Sequence, residues 1–247
     1  MTALMQALSF LTIVRLPART VGDGAPTAWA AAWFPLVGVV LGVGLVGLDL
    51  LLAFVLPRQV GSTLLVVAWV AVTGALHLDG LMDCADALPG IRQEAERLRI
   101  LKDPAIGAFG VAAGCLALLL KVTALASLDG LTRLQAMGLT PVLGRWAALL
   151  VMAIYPYAIR PDVGTGAGMT RTLGLRHLAV GTAVTLVVAA ACGFLGMAAM
   201  VLVVGVALMI AGYARRRLPG LTGDVYGTVI ECAEIATLLL FSARRIV

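Results

Sequence analysis

The segment His77-Leu78-Asp79-Gly80-Leu81-Met82-Asp83-Cys84-Ala85-Asp86 places three carboxylates at spacings of four and three residues. On a helix, Asp79, Asp83 and Asp86 then share one face at i, i+4 and i+7. Like charges stacked in this way repel one another, so the arrangement calls for a cation. Carboxylate oxygens are hard ligands that suit Mg²⁺ or Mn²⁺, above all when substrate phosphate oxygens complete the coordination. Gly80 leaves room for the close approach of a backbone or a phosphate. His77 lies about 160° around an ideal helix from Asp79, so it joins the site only if the helix breaks there. It reads as a general base, a polar partner of the carboxylates, or an interface residue. For the acids, the plain alternative is a solvated helix end.

Three further clusters carry charge. In Leu101-Lys102-Asp103-Pro104, Asp103 is a natural N-cap with Pro104 at the first helical position. A helix N-terminus beside Lys102 is also an anion site suited to a diphosphate, and Gly107 and Gly110 permit close packing or substrate approach. Gly144-Arg145-Trp146 puts an arginine well inside an apolar run. At that depth Arg145 is expected to face the bundle interior and a carboxylate or phosphate. Lys121, nearer the far end of its run, is expected to snorkel. In Gly220-Leu221-Thr222-Gly223-Asp224-Val225-Tyr226-Gly227, Asp224 shares a face with Glu231, and Glu234 lies about 80° away. Acids entering a membrane span face a cavity or a metal. The segment Pro161 to Thr170, with Gly164, Gly166 and Gly168, reads as a lid or a simple connector. The mixed Glu/Arg stretch from Arg92 to Arg99 reads as a solvated amphipathic helix.

The elements that must position these groups follow from composition. Of 247 residues, 61% are apolar and 13% charged, and mean hydropathy is +1.03. A soluble domain is about half apolar and a quarter charged, so a polytopic helical membrane bundle is expected. Neither a nucleic-acid partner nor a disulfide scaffold fits, and the four scattered cysteines read as packing residues. Candidate spans are Trp29–Phe54, Gly61–Leu76, Ala105–Ser127, Met137–Tyr155 and Gly223–Phe241. A run from Leu178 to Gly212 splits into two helices near Gly193–Gly196. The expected fold is all-α: about seven transmembrane helices in one catalytic domain over residues 1–247. An interfacial or re-entrant N-terminal helix at Leu4–Val14 precedes them. Of 18 Arg and Lys residues, 12 fall in the N-terminal segment and the connections at 77–104, 156–177 and 213–222. Only Arg58, Arg133, Arg244 and Arg245 lie on the other side. By the positive-inside rule the first set is cytoplasmic. Most acids sit on that face as well, which places the chemistry at a cytoplasmic membrane surface.

Taken together, these clusters resemble the cobalamin synthase family, the adenosylcobinamide-GDP ribazoletransferases. The resemblance rests on His77-Leu78-Asp79-Gly80-Leu81-x-Asp83-x-x-Asp86, Leu101-Lys102-Asp103 with Ile106-Gly107-Ala108-Phe109-Gly110, Gly144-Arg145, and Leu221-Thr222-Gly223-Asp224-x-Tyr226-Gly227 with Glu231. Phe10-Leu11-Thr12-x-x-Arg15-Leu16-Pro17 and Phe34-Pro35-Leu36-Val37-Gly38 fit as well. The resemblance implies a Mg²⁺-dependent enzyme of the bacterial inner membrane. It would join α-ribazole or its 5′-phosphate to adenosylcobinamide-GDP and release GMP. On that reading, Asp79, Asp83, Asp86 and Asp103 are the metal ligands. Lys102, Arg145, Gly80, Gly107, Thr222 and Gly223 bind substrate or phosphate. Asp224, Glu231 or His77 takes the proton from the attacking 5′-hydroxyl. A homo-oligomer is compatible with this architecture. Two other readings stand beside it. A CDP-alcohol phosphatidyltransferase would need Asp-Gly-x-x-Ala-Arg, where this chain has Asp79-Gly80-Leu81-Met82-Asp83-Cys84. An ion-coupled transporter would show internal repeats, and none is evident.

Overall fold

The computed structural model describes residues 2–14, 27–158, 169–170 and 172–243, and these form eleven helices in chain order. They are α1 (Thr2–Leu11), α2 (Ala28–Ala32), α3 (Phe34–Leu52), α4 (Arg58–Val72), α5 (Leu76–Ala87) and α6 (Glu94–Ile100). α7 (Ala108–Ser127), α8 (Gly130–Ile154), α9 (Leu175–Ala191), α10 (Gly193–Arg215) and α11 (Gly223–Ser242) follow. Met1, residues 15–26 and 159–168, Arg171 and residues 244–247 lie outside the described set. So do several of the arginines counted for orientation, most of the 161–170 segment, and the Arg15-Leu16-Pro17 match.

α3, α7, α8, α10 and α11 are each long and apolar enough to cross a membrane, and α4 with α5 counts as a sixth crossing only if the pair is taken together. The chain is a multi-pass membrane protein. The expected seven spans differ in two places. Gly61–Leu76 is not one crossing, because α4 stops at Val72 after 15 residues. α9 has 17 residues, slightly fewer than the 18 of a full apolar window. The split within 178–212 falls where a turn was expected, with Gly193 at φ +68° between α9 and α10. Two spans also begin elsewhere: α3 is separated from α2 at Trp33, and α8 starts seven residues before Met137.

α8 is the hub. It is the most deeply buried of the long helices and packs against α3, α9, α10 and α11. Its contact with α3 depends on missing side chains. A Cβ on Gly38 would sit 2.6 Å from the Pro141 carbonyl oxygen, and one on Gly42 2.5 Å from that of Gly138. The Gly38-x-x-x-Gly42 stripe therefore lets the two backbones touch, the usual device of helix pairs in lipid. At the far end of this pair Arg133 is buried. It donates from Nε to Asp49 Oδ2 at 2.9 Å, from Nη2 to Asp49 Oδ1 at 2.7 Å, and to Ser62 Oγ at 3.1 Å. Arg133 is thus an interior ion-pair residue of α8 and not a charge in an outer loop.

A single substitution tests the α3–α8 seam. Gly42→Val should meet backbone at both ends and lower the thermal midpoint of detergent-solubilised protein, at a cost of about 1–3 kcal/mol for overpacking. Gly44→Val, where a Cβ meets nothing within 4 Å, should leave the midpoint nearly unchanged. Equal behaviour of the two would refute the seam.

Candidate functional site

The site begins at a break. Gly74 and Ala75 both adopt left-handed conformations, with φ +61° and +56°. Two such residues cannot continue a right-handed helix. α5 therefore restarts at Leu76 and runs at 87° to α4. This break brings His77 into the same wall as Asp79. It also separates the three aspartates from the axis of the span expected to carry them.

α5 is held by α11. A Cβ on Gly80 would lie 2.7 Å from the Asp224 carbonyl oxygen, and one on Gly227 3.0 Å from that of His77. Thr228 Oγ1 donates to Gly80 O at 3.0 Å, and at 2.9 Å to Asp224 O. Gly80 thus serves the close backbone crossing that sets Asp79 and Asp83 beside Asp224. Arg97 closes the other end of α5. It is buried, and it donates to the carbonyls of Ala87 at 3.0 Å, Leu88, and Gly90 at 2.8 Å. A cation there satisfies the last carbonyls of the helix and offsets its dipole. The Arg92–Arg99 stretch is therefore more than a solvated face.

The carboxylates divide into two groups. Asp79 is exposed, whereas Asp83 and Asp224 are half-buried. Asp83 lies outside the five long apolar helices, and burial pushes its carboxyl up to about 6, with Asp79, Asp224 and Asp86 adding to the rise. A cation beside these groups would relieve that strain. Asp86 faces elsewhere. Its oxygens accept from the backbone N–H of Gly107 at 2.7 Å and of Gly110 at 2.9 Å, so it binds the N-terminus of α7. Gly107, as N-cap, leaves no room for more: a Cβ there would be 2.4 Å from Asp86 Oδ1. The helix N-terminus expected to take a diphosphate is occupied by the protein's own carboxylate. Asp103 does not cap that helix, which starts at Ala108. It accepts from Ala105 N–H at 3.0 Å and lies 3.7 Å from Arg99, while Lys102 beside it is exposed. Thr222 caps α11, accepting from Val225 N–H at 3.4 Å and donating to Asp224 Oδ2 at 3.2 Å. A Cβ on Gly223 would meet open space.

Beneath this surface lies a buried ionic network. Lys121 Nζ stands 2.7 Å from Glu231 Oε2 and also pairs with Glu234, whose other oxygen pairs with Arg145. Lys121 is 2% exposed, so it does not snorkel. Arg145 is fully buried, and its Nη2 lies 3.4 Å from His77 Nδ1. Two cations and two carboxylates cancel, which makes the burial tolerable. The balance of Lys121 and Arg145 against Glu231 and Glu234, at i and i+3 on α11, was legible as charge arithmetic. Sequence spacing sets Glu234 about 80° from Asp224 and leaves Lys121 without a partner; the structure pairs Glu234 with Lys121.

Between the network and the carboxylates is a cavity of about 270 Å³. His77, Asp79, Thr222, Gly223 and Asp224 line one side, and Phe10, Phe34, Ala148, Met152, Tyr157 and Tyr226 complete the wall. Phe10 and Phe34 stack at 5.8 Å, and Tyr157 and Tyr226 at 6.2 Å. Burial and the neighbouring Asp224 push the Tyr157 phenol up. The aromatic members went unread as site residues because each sits in a different segment and reads locally as core. Among the described residues no three Asp, Glu, His or Cys side chains converge tightly enough to chelate an ion by themselves. Mg²⁺ needs fewer. It typically takes one or two carboxylates, several waters and substrate phosphate oxygens. Asp79 and Asp83, one turn apart on α5, offer that number of carboxylates.

The family model described as cobalamin-5-phosphate synthase matches residues 3–242. The chain belongs to the cobalamin-5-phosphate synthase family. It is therefore an enzyme, a transferase of cobalamin biosynthesis. Relatives named adenosylcobinamide-GDP ribazoletransferase include a protein of Alkalilimnicola ehrlichii, 43% identical over 96% of this chain and 93% of its own length. One from Deinococcus radiodurans is 42% identical over 96% and 84%. Another, from Brevibacillus brevis, is 35% identical over 97% of both chains. No solved structure matches.

The network should behave as a unit. Lys121→Met strands a buried carboxylate and should cost about 3–5 kcal/mol, read as a lower thermal midpoint. Lys121→Met with Glu231→Met removes one charge of each sign and should recover most of that loss. If the double variant is no better than the single, charge balance is not what holds these helices.

Proposed function

We propose that this chain joins α-ribazole or its 5′-phosphate to adenosylcobinamide-GDP, forming adenosylcobalamin or its 5′-phosphate and releasing GMP. The reaction is Mg²⁺-dependent, with Mn²⁺ an alternative, and takes place at the cytoplasmic face of the bacterial inner membrane. One observation carries this reading. Asp79 and Asp224 line one side of a mainly apolar cavity, with Asp83 one helical turn beyond Asp79 on α5, in a chain whose relatives bear that enzyme's name.

A hydroxyl oxygen of the ribazole attacks the phosphorus attached to cobinamide, the P–O–P bridge breaks, and GMP leaves. The attacking group is a ring hydroxyl of the ribose and not the 5′-hydroxyl, because the 5′-phosphate form carries an ester there. Asp79 and Asp83 would hold Mg²⁺, which when bound would polarise phosphoryl oxygens and neutralise the charge that develops on them. Of the three candidate bases, Glu231 is committed to Lys121 and His77 Nδ1 to Arg145. Asp224 is left to accept the hydroxyl proton, with Thr222 Oγ1 orienting its carboxylate. Exposed Lys102 supplies positive charge to the diphosphate. Buried Arg145 acts at one remove, by placing His77 and α11. Asp86 and Asp103 accept from backbone N–H groups and are not metal ligands on this reading.

Purified protein incubated with Mg²⁺, adenosylcobinamide-GDP and α-ribazole should release one GMP per cobamide formed. Asp83→Asn should lower the rate by about 10²–10³-fold, the usual effect of removing one preorganised electrostatic group. Mg²⁺ should raise the melting temperature of the parent protein and leave that of Asp83→Asn unmoved. Folded protein that releases no GMP sinks the proposal.

A further inference from the structure

Where α10 ends, five arginines converge on one pocket of about 330 Å³. Arg92 and Arg97 come from the connection after α5 and from α6. Arg215, Arg216 and Arg217 come from the end of α10 and the turn beyond it. Glu94 and Leu218 complete the lining. The pocket shares no residue with the cavity beside Asp79 and Asp224, so the transfer chemistry leaves it unexplained.

These side chains are fixed in place but not neutralised. Arg92 donates to the carbonyls of Ala87 and Pro89, both at 3.3 Å, and Arg97 to those of Ala87 at 3.0 Å and Gly90 at 2.8 Å. Arg215 donates to Leu218 O at 3.1 Å. Arg217 donates to Tyr213 O at 3.3 Å and stacks on the Tyr213 ring at 3.6 Å. A carbonyl orients a guanidinium and leaves its formal charge whole. Among the described residues none of the five arginines forms an ion pair with a carboxylate. Counting Glu94, the lining carries a net formal charge of +4. Like charges gathered in one small space repel one another unless an anion sits among them. Orientation in the membrane asks only for positive charge near the ends of the spans. It does not ask that two distant stretches of chain supply one pocket.

The pocket's level and its neighbours narrow the anion. Arg215 is the last residue of a helix long and apolar enough to cross a membrane, which puts the pocket at the height of the lipid headgroups. Ile91, next to Arg92, is fully exposed, and Tyr213 is exposed on the last turn of α10. Apolar and aromatic side chains at that height suit the boundary between headgroup and acyl chain. An anion arriving from water would have no use for them. Guanidinium groups match the oxygens of a phosphate in pairs.

We propose that this pocket holds the headgroup phosphate of an anionic phospholipid, contacted above all by Arg215 and Arg216, its two exposed arginines. Basic pockets at the ends of membrane helices recognise anionic headgroups in this way. The phosphate bridges the end of α10 and the α5–α6 connection. That bridge bears on the candidate site, because Arg92 and Arg97 also hold the last carbonyls of α5, the helix that carries Asp79 and Asp83.

Native mass spectrometry of the purified full chain in neutral detergent reads the binding directly. Phosphatidylglycerol should bind about tenfold more tightly than phosphatidylcholine, which has the same phosphate but no net charge. Arg215→Gln with Arg216→Gln should weaken phosphatidylglycerol binding about 25-fold, since each basic residue near an anionic surface is worth about fivefold. Arg99→Gln with Arg176→Gln removes the same charge from exposed positions outside the pocket and should leave binding nearly unchanged. Inorganic phosphate in excess should not displace the lipid. Equal binding of the two lipids, no loss in the first double variant, or an equal loss in both, overturns the proposal. Displacement by inorganic phosphate overturns it as well and makes the pocket a site for a soluble phosphate. The two lipids and inorganic phosphate, compared on the parent protein, decide the matter even if a variant does not fold.

Discussion

Carrying ionised groups into an apolar bundle is expensive unless every charge meets its opposite. In this chain the requirement is met by Lys121, Glu231, Glu234 and Arg145, drawn from α7, α11 and α8. The network ties these three helices together at a depth where hydrophobic contact alone distinguishes little, since lipid is as apolar as leucine. Through Arg145 it also reaches His77 and so the start of α5. The cavity and the carboxylates that line it are built on top of it. A helix displaced here would leave a bare charge inside the membrane, so the ends of the helices above it inherit its precision.

The surface chemistry depends on a second device, the near absence of side chains where α5 crosses α11. Gly80 and Gly227 let backbone meet backbone, and Thr228 seals the contact. That crossing assembles one acidic cluster from residues nearly 150 positions apart in the chain. Asp86, although it belongs to the same motif, is drawn off to hold α7. One run of aspartates thus serves two purposes, with chemistry at its N-terminal end and architecture at its C-terminal end.

Much of this was legible in the sequence, and the limits have physical causes. The all-α membrane bundle followed from composition and long apolar runs. The cluster at Asp79 was visible from its spacing, that at Asp103 as a capping motif, and Arg145 and Asp224 as charges within or entering apolar runs. Helical spacing brought Asp79, Asp83 and Asp86 to one face, but it could not show that Asp86 would meet two backbone N–H groups 21 and 24 residues away. The reversal at Gly74-Ala75 was unreadable because Ala75 adopts a left-handed conformation against its own preference. Without that break, His77 seemed to point away from the acids. Arg133 and Lys121 were misplaced for a related reason. A lone basic residue near a helix end reads as a loop or snorkelling charge until its partner is known, and the partners Asp49 and Glu234 are 84 and 113 residues distant.

The same break has a mechanical consequence. An unbroken helix transmits tilt and rotation from one end to the other as a rigid lever. Two left-handed residues between α4 and α5 turn the chain by 87° instead, and α5 takes its packing from α11, α7 and α6. The segment bearing Asp79 and Asp83 is covalently continuous with α4, yet the direction of its axis is set by different neighbours.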